Sequence, residues 1–193
     1  MSEKSPPRAR KPRTDGLRNR DLLLAAAKAA FAEMGPDVPP GDIAKRAGVG
    51  VGTLYRHFPT RDELVAAVYE RDVEQLTQAA DTLLGEHSAE EALALWLGQV
   101  IGYVAEKRVI APALRTDTGA GAQLHASSEA TLSAALRRLV DAAQRAGAIR
   151  AGIGFDDVAR MMAGICAGSG QPEWEASARR LLDVMMAGLR ATP

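Results

Sequence analysis

Between Gly35 and Pro59, glycine and proline interrupt the chain so often that only two very short helices fit, with a tight turn between them. Gly35 can take the left-handed conformation that stops a helix, and Pro36 cannot continue one. Pro39 and Pro40 reopen it, because a proline at the first helical position forfeits no hydrogen bond. This helix covers about 40–47, with Ile43, Ala44 and Ala47 on its buried face and Gly48 at its end. After the turn Gly48-Val49-Gly50 a second short helix covers about 51–58, and Pro59 forces an exit. Upstream, Leu23, Ala27, Ala30, Phe31 and Met34 share one face of a helix over about 18–34. Three helices in this order make a helix-turn-helix, whose third helix is short enough to sit in a DNA major groove. Ile43, Ala44, Val49, Leu54 and Phe58 are its natural core. That leaves Val51, Gly52, Thr53, Tyr55, Arg56 and His57 on the outer side, a set rich in donors for phosphates and base edges.

The remainder is alanine-rich, with leucine at helical spacing and few aromatic residues, which predicts an all-α protein of about nine helices. Thr60-Arg61-Asp62-Glu63 is a capping box for a fourth helix reaching about Leu84, with Leu64, Val68, Val73 and Leu76 apolar and Gly85 as its stop. A fifth spans about 88–106 from a Ser88 cap. Residues 107–126 carry Pro112, Gly119 and Gly121 and read as a short helix and a loop. Further helices cover about 127–146, 155–167 and 172–189. Residues 1–17 read as a disordered basic arm, 18–62 as the DNA-reading domain and 63–193 as a separate helical body.

Charge follows the same division. Residues 1–61 hold 12 lysines and arginines against 6 acids, while 62–193 hold 12 against 18. A neutral chain with one basic end suits a polyanion at that end; a solvated basic tail is the other reading. Cys166 is the only cysteine, so no internal disulfide can form. No apolar run is long enough to span a bilayer, and the start of the chain does not resemble a signal peptide, so the expected location is the cytoplasm.

Little points to an enzyme. His57, His87 and His125 lack metal-ligand spacing, and no glycine-rich phosphate loop joins a strand to a helix. Cys166 shares an apolar face with Met162 and Ile165 and reads as core rather than nucleophile. No catalytic residue, metal or cofactor is expected.

The run from Ile43 through Phe58, ile-ala-lys-arg-ala-gly-val-gly-val-gly-thr-leu-tyr-arg-his-phe, resembles the DNA-reading core of TetR-type regulators. So do its continuation to Leu64 and the preceding helix from Ala25 to Gly35. The resemblance covers about residues 20–70. It implies phosphate contacts for Tyr55 and His57, a phosphate or base contact for Thr53, and a backbone grip for Arg61. Lys45 and Arg46 are counted with this DNA-binding set. Val51, Gly52 and Arg56 stand at positions that vary with operator sequence, which makes Arg56 the candidate reader of guanine. The chain departs from the family pattern at Pro39-Pro40-Gly41, where many members start the second helix with a threonine or serine.

The resemblance also implies a repressor on a near-palindromic operator, a homodimer built from the last two helices, and a small organic effector. Those helices carry apolar stripes: Val158, Met161, Met162, Ile165 and Cys166 on one, and Trp174, Leu181, Leu182, Met185 and Leu189 on the other. Small Ala163, Gly164 and Ala167 would let helices approach closely. The same stripes also suit the core of a single protomer. Trp96, Gln99 and Tyr103 recur at spacings of three and four, as one side of an effector pocket would require. Met162 and Cys166 would add adaptable walls, and Arg115 and His125 a polar mouth. Ordinary core packing of Trp96 and Tyr103 in a fully packed body, with a DNA-binding module controlled by a protein partner or by nothing, is the alternative.

Overall fold

Helix-forming sequence yields eight helices within residues 12–35, 37–110 and 119–191, which are the residues described by a computed structural model. In chain order they are α1 (Pro12–Met34), α2 (Pro40–Arg46), α3 (Val51–His57), α4 (Arg61–Glu86), α5 (Ala89–Ile110), α6 (Gly119–Arg145), α7 (Phe155–Ala167) and α8 (Trp174–Leu189). Among the described residues the only β pairing is a single antiparallel bridge between Ile149 and Arg190. The chain divides into two compact units, one ending at Leu64 and the other beginning at Val65.

In the first unit, α1, α2 and α3 pack against one another. Leu23, Leu24, Ala27, Ala30 and Phe31 of α1, Ile43 and Ala44 of α2, Leu54 of α3 and the following Phe58 are all buried. Met34, expected on the buried face of α1, is instead 54% exposed, because the helix ends there and Gly35 turns away with φ +80. α1 begins at Pro12, upstream of the expected start at 18. Pro12 costs the first turn no hydrogen bond, and Asp15 is placed where the helix dipole favours an acid. Residues 12–17 of the expected arm are therefore helical; residues 1–11 lie outside the described residues.

In the second unit α5 is apolar around much of its circumference and packs against α6, α7 and α8. Its Leu93, Leu97 and Ile101 join Ala80, Leu139, Val140, Val158, Ala178, Leu182 and Leu189 in one core. The Trp174 indole N–H donates to the Ile165 carbonyl at 2.7 Å, joining α8 to α7. The expected stop at Gly85 does not occur there: α4 runs on to Glu86. One glycine costs a helix interior only about 1 kcal/mol, and the boundary is set instead by the next cap. Ser88 and Glu91 form a reciprocal capping box, with Glu91 N–H on Ser88 Oγ at 3.3 Å and Ser88 N–H on Glu91 Oε2 at 3.2 Å. α5 reaches Ile110 and α6 starts at Gly119, so the described ends of the segment expected as a short helix and loop belong to longer helices.

Candidate functional site

The short α2 and α3 are made by the punctuation that brackets them. Pro39 and Pro40 start α2, Gly48 turns the chain with φ +69, and Gly50 precedes α3. At the start of α4, Glu63 N–H donates to Thr60 Oγ1 at 3.2 Å, and the Thr60 hydroxyl donates back to Glu63 at 3.1 Å. Leu54 and Phe58 anchor α3 inward. The guanidinium of Arg20, on α1, lies over the Phe58 ring at 5.4 Å, closing the small core from above.

With Leu54 and Phe58 inside, the other face of α3 is turned out. Val51, Gly52, Tyr55 and Arg56 are exposed, and Thr53 and His57 are half-buried. Val49, expected in the core, is half-buried at the turn. Lys45 and Arg46, at the end of α2, are also exposed. Two of the expected DNA-binding cations are already paired with acids: Arg46 with Glu33, and Arg61 with Asp37 at 2.6 Å. Arg56 has no ion pair among the described residues, which leaves its fork of donors for another acceptor.

The second unit contains a cavity of about 430 Å³. Five residues singled out from the sequence meet on its wall: Trp96, Tyr103, His125, Met162 and Cys166. Gln99 does not; it is exposed, because helical rotation puts Val100 rather than Gln99 beside Trp96 on the cavity side. Arg115 lies outside the described residues. Burial raises the pKa of the Cys166 thiol, which fits a wall residue better than a nucleophile.

The sequence reading missed Tyr69 and Lys107, which join the wall. Lys107 Nζ donates to Tyr69 Oη at 3.1 Å and lies 3.2 Å from His125 Nδ1. An ammonium can only donate, so Nδ1 is the acceptor in that pair. Lys107 could have been found by extending the face of Tyr103 one more turn, and Tyr69 by extending the stripe of Val73 and Leu76 back one turn.

The outer surface of α7 and α8 differs from the expected stripes. Trp174, Leu182, Met185 and Leu189 are buried within the protomer, as are Val158 and Met162. Each stripe was read as one face, but packing on α5 for α8, and mainly on α6 for α7, takes the larger part of it. What remains outside is Leu181 at 49% and Val184 at 70% exposure on α8, while Ala163, Gly164 and Ala167 are exposed on α7.

Residues 23–68 match the family model described as bacterial regulatory proteins, tetR family, and residues 88–191 match that of the transcriptional regulator SbtR-like C-terminal domain. The crystal structure of the TetR transcriptional regulator SCO0520 from Streptomyces coelicolor is similar at 42% identity and a TM-score of 0.79, over 90% of this chain and 99% of that one. A TetR transcription regulatory protein from Mycobacterium vanbaalenii is similar at 34% identity and a TM-score of 0.78, over 93% and 99%. Among curated proteins, the HTH-type transcriptional regulator SAR0097 of Staphylococcus aureus is 37% identical over 82 residues, which are 41% of this chain and 42% of that relative's length.

Proposed function

The chain belongs to the TetR family of bacterial transcriptional regulators, and from that premise we propose that it is a homodimeric repressor released from its operator by a small organic molecule. The observation that carries this reading is the cavity, which joins the apolar surfaces of Trp96, Leu97, Val100, Leu136 and Met162 to a few polar groups. That mixture is typical of sites for small organic ligands. A body controlled only by a protein partner has no need of such a space.

DNA reading falls to α3. Arg56 faces a base edge, Tyr55 and His57 hold phosphates, and Lys45, Arg46 and Arg61 add positive charge around them. Exposed Leu181 and Val184 with the small residues of α7 supply a self-complementary apolar face for a second copy. A dimer of this kind presents two copies of α3 to a near-palindrome.

A ligand releases DNA only if it prefers the conformation that DNA does not. α4 is the continuous element concerned, since it carries Arg61 at its start and Tyr69 of the cavity wall about two turns on. The test is a chemically mixed compound screen read by thermal stabilisation and by loss of DNA affinity, repeated on Val100→Phe, which fills the cavity. Stabilising compounds should release DNA from the wild type and not from Val100→Phe. Release that is equal from both proteins would place the effector elsewhere. Stabilisation without release would remove the ligand-responsive reading.

A further inference from the structure

The cavity wall is chemically uneven. Trp96, Leu97, Leu136 and Met162 give it buried apolar surface, whereas Tyr69, Tyr103, Lys107 and His125 gather into one polar cluster. Lys107 Nζ sits 4.9 Å from the centroid of the Tyr69 ring and 6.0 Å from that of Tyr103, and the two rings are 6.0 Å apart. Two of the ammonium's three donors go to the Tyr69 hydroxyl and His125 Nδ1, and neither partner carries negative charge.

Tyr103 makes the cluster more pointed. Its side chain is 9% exposed, it lines the cavity, and its hydroxyl is buried with no hydrogen-bond partner. The Tyr69 hydroxyl is a polar neighbour that favours the protonated form of Tyr103, but no hydrogen bond of normal geometry joins the two. A buried hydroxyl without an acceptor is unfavourable, and phenylalanine would fill the same volume without that cost. Among the described residues, the unsatisfied donor and the half-buried cation both lack an anionic acceptor at the same place.

Among the described residues, the acids near the site do not supply one. Glu129 lies on the wall one turn beyond His125 but is exposed, where water screens it. Asp72 is buried on α4, has a partner, and is not part of the wall.

Building on the ligand-responsive reading above, we infer that the cavity takes an organic monocarboxylic acid, with its apolar body against Trp96, Leu136 and Met162 and its carboxylate held between Lys107 Nζ and the Tyr103 hydroxyl. Both contacts are charge-assisted, the stronger class of hydrogen bond. Burial, reinforced by the Tyr69 hydroxyl and the Asp72 carboxylate, holds the Tyr103 pKa well above the usual phenol range, so Tyr103 enters this contact as a donor.

The experiment uses the full chain and two matched sets: decanoate with decanol and decylamine, and phenylbutyrate with phenylbutanol and phenylbutylamine. Binding is read by calorimetry and by the fluorescence of the two tryptophans, Trp96 and Trp174, and DNA affinity is measured in parallel. At least one acid should bind roughly tenfold or more tightly than its alcohol and amine. Lys107→Gln should abolish that preference. Tyr103→Phe should weaken acid binding several-fold without lowering the melting temperature of the free protein, which loss of a merely structural hydroxyl bond would lower. The inference is overturned if no acid binds, if alcohol or amine binds as well, or if Lys107→Gln keeps the preference. An acid that binds as expected but leaves DNA affinity unchanged supports the ligand class and defeats the release reading. A neutral or cationic compound that binds and releases DNA does the reverse.

Discussion

The indole N–H of Trp96 on α5 donates to the backbone carbonyl of Leu76 on α4 at 2.8 Å, so one residue is both a wall of the cavity and a tie between two helices. Its ring is buried, and the bond fixes how that ring faces the cavity. Substitutions at Trp96 therefore mix structural and ligand effects, and the two have to be separated.

Trp96→Phe keeps an aromatic wall and removes the N–H. The Leu76 carbonyl lies within α4 and has a second lone pair, so the loss should cost about 1 kcal/mol. Trp96→Ala also empties the site and should cost about 3–5 kcal/mol. Denaturant melts of the two variants check this. Equal losses would mean that the hydrogen bond, not packing, is what Trp96 supplies.

Leu182 and Leu181 are sequence neighbours with opposite roles. Leu182 is buried in the protomer core and Leu181 is 49% exposed. Leu182→Glu should therefore lower the melting temperature of the protomer itself. Leu181→Glu combined with Val184→Glu should leave the helical fold intact while yielding monomers by light scattering, since unpaired charges would be buried at the proposed dimer face. A native-mass dimer from that double variant would move the interface off α8.

Arg61 and Asp37 form an exposed pair at 2.6 Å. Such pairs contribute about 0–1 kcal/mol, so Arg61 can exchange Asp37 for a phosphate at small cost. Arg61→Gln should reduce the slope of log affinity against log salt by about 0.9 for a lost phosphate contact, with the preferred DNA sequence unchanged. An unaltered slope would show that Arg61 stays with Asp37 on DNA.

The helix-turn-helix was legible because its boundaries are set by residues with few options. Pro39, Pro40, Gly48, Gly50 and Pro59 leave little freedom for α2 and α3, and Leu54 and Phe58 settle which face of α3 is inside. The body was legible in part. α7 spans the expected 155–167; in the structure the Gly154 amide donates to Asp157 at 3.0 Å at its start and Gly168 follows its end. Orientation around long helices was harder, as Gln99, Met185 and Leu182 illustrate. Apolar spacing identifies a face but not the neighbour that will cover it, and α5 covers what could equally have been an interface. Lys107 was not legible because the fifth helix was expected to stop at about 106, whereas α5 carries Lys107 on to Ile110, and only the tertiary placement of Tyr69 and His125 makes it part of a wall.

Sequence-specific DNA reading through α3 is checked by selecting bound fragments from a random DNA pool with the wild type and with Arg56→Ala. The wild type should select an approximate palindrome, with half-sites about 34–36 Å apart. Arg56→Ala should show relaxed preference at one base pair of each half-site, with affinity reduced by about 1–3 kcal/mol. A pool without an enriched motif, or a motif unchanged by Arg56→Ala, would contradict this reading of α3.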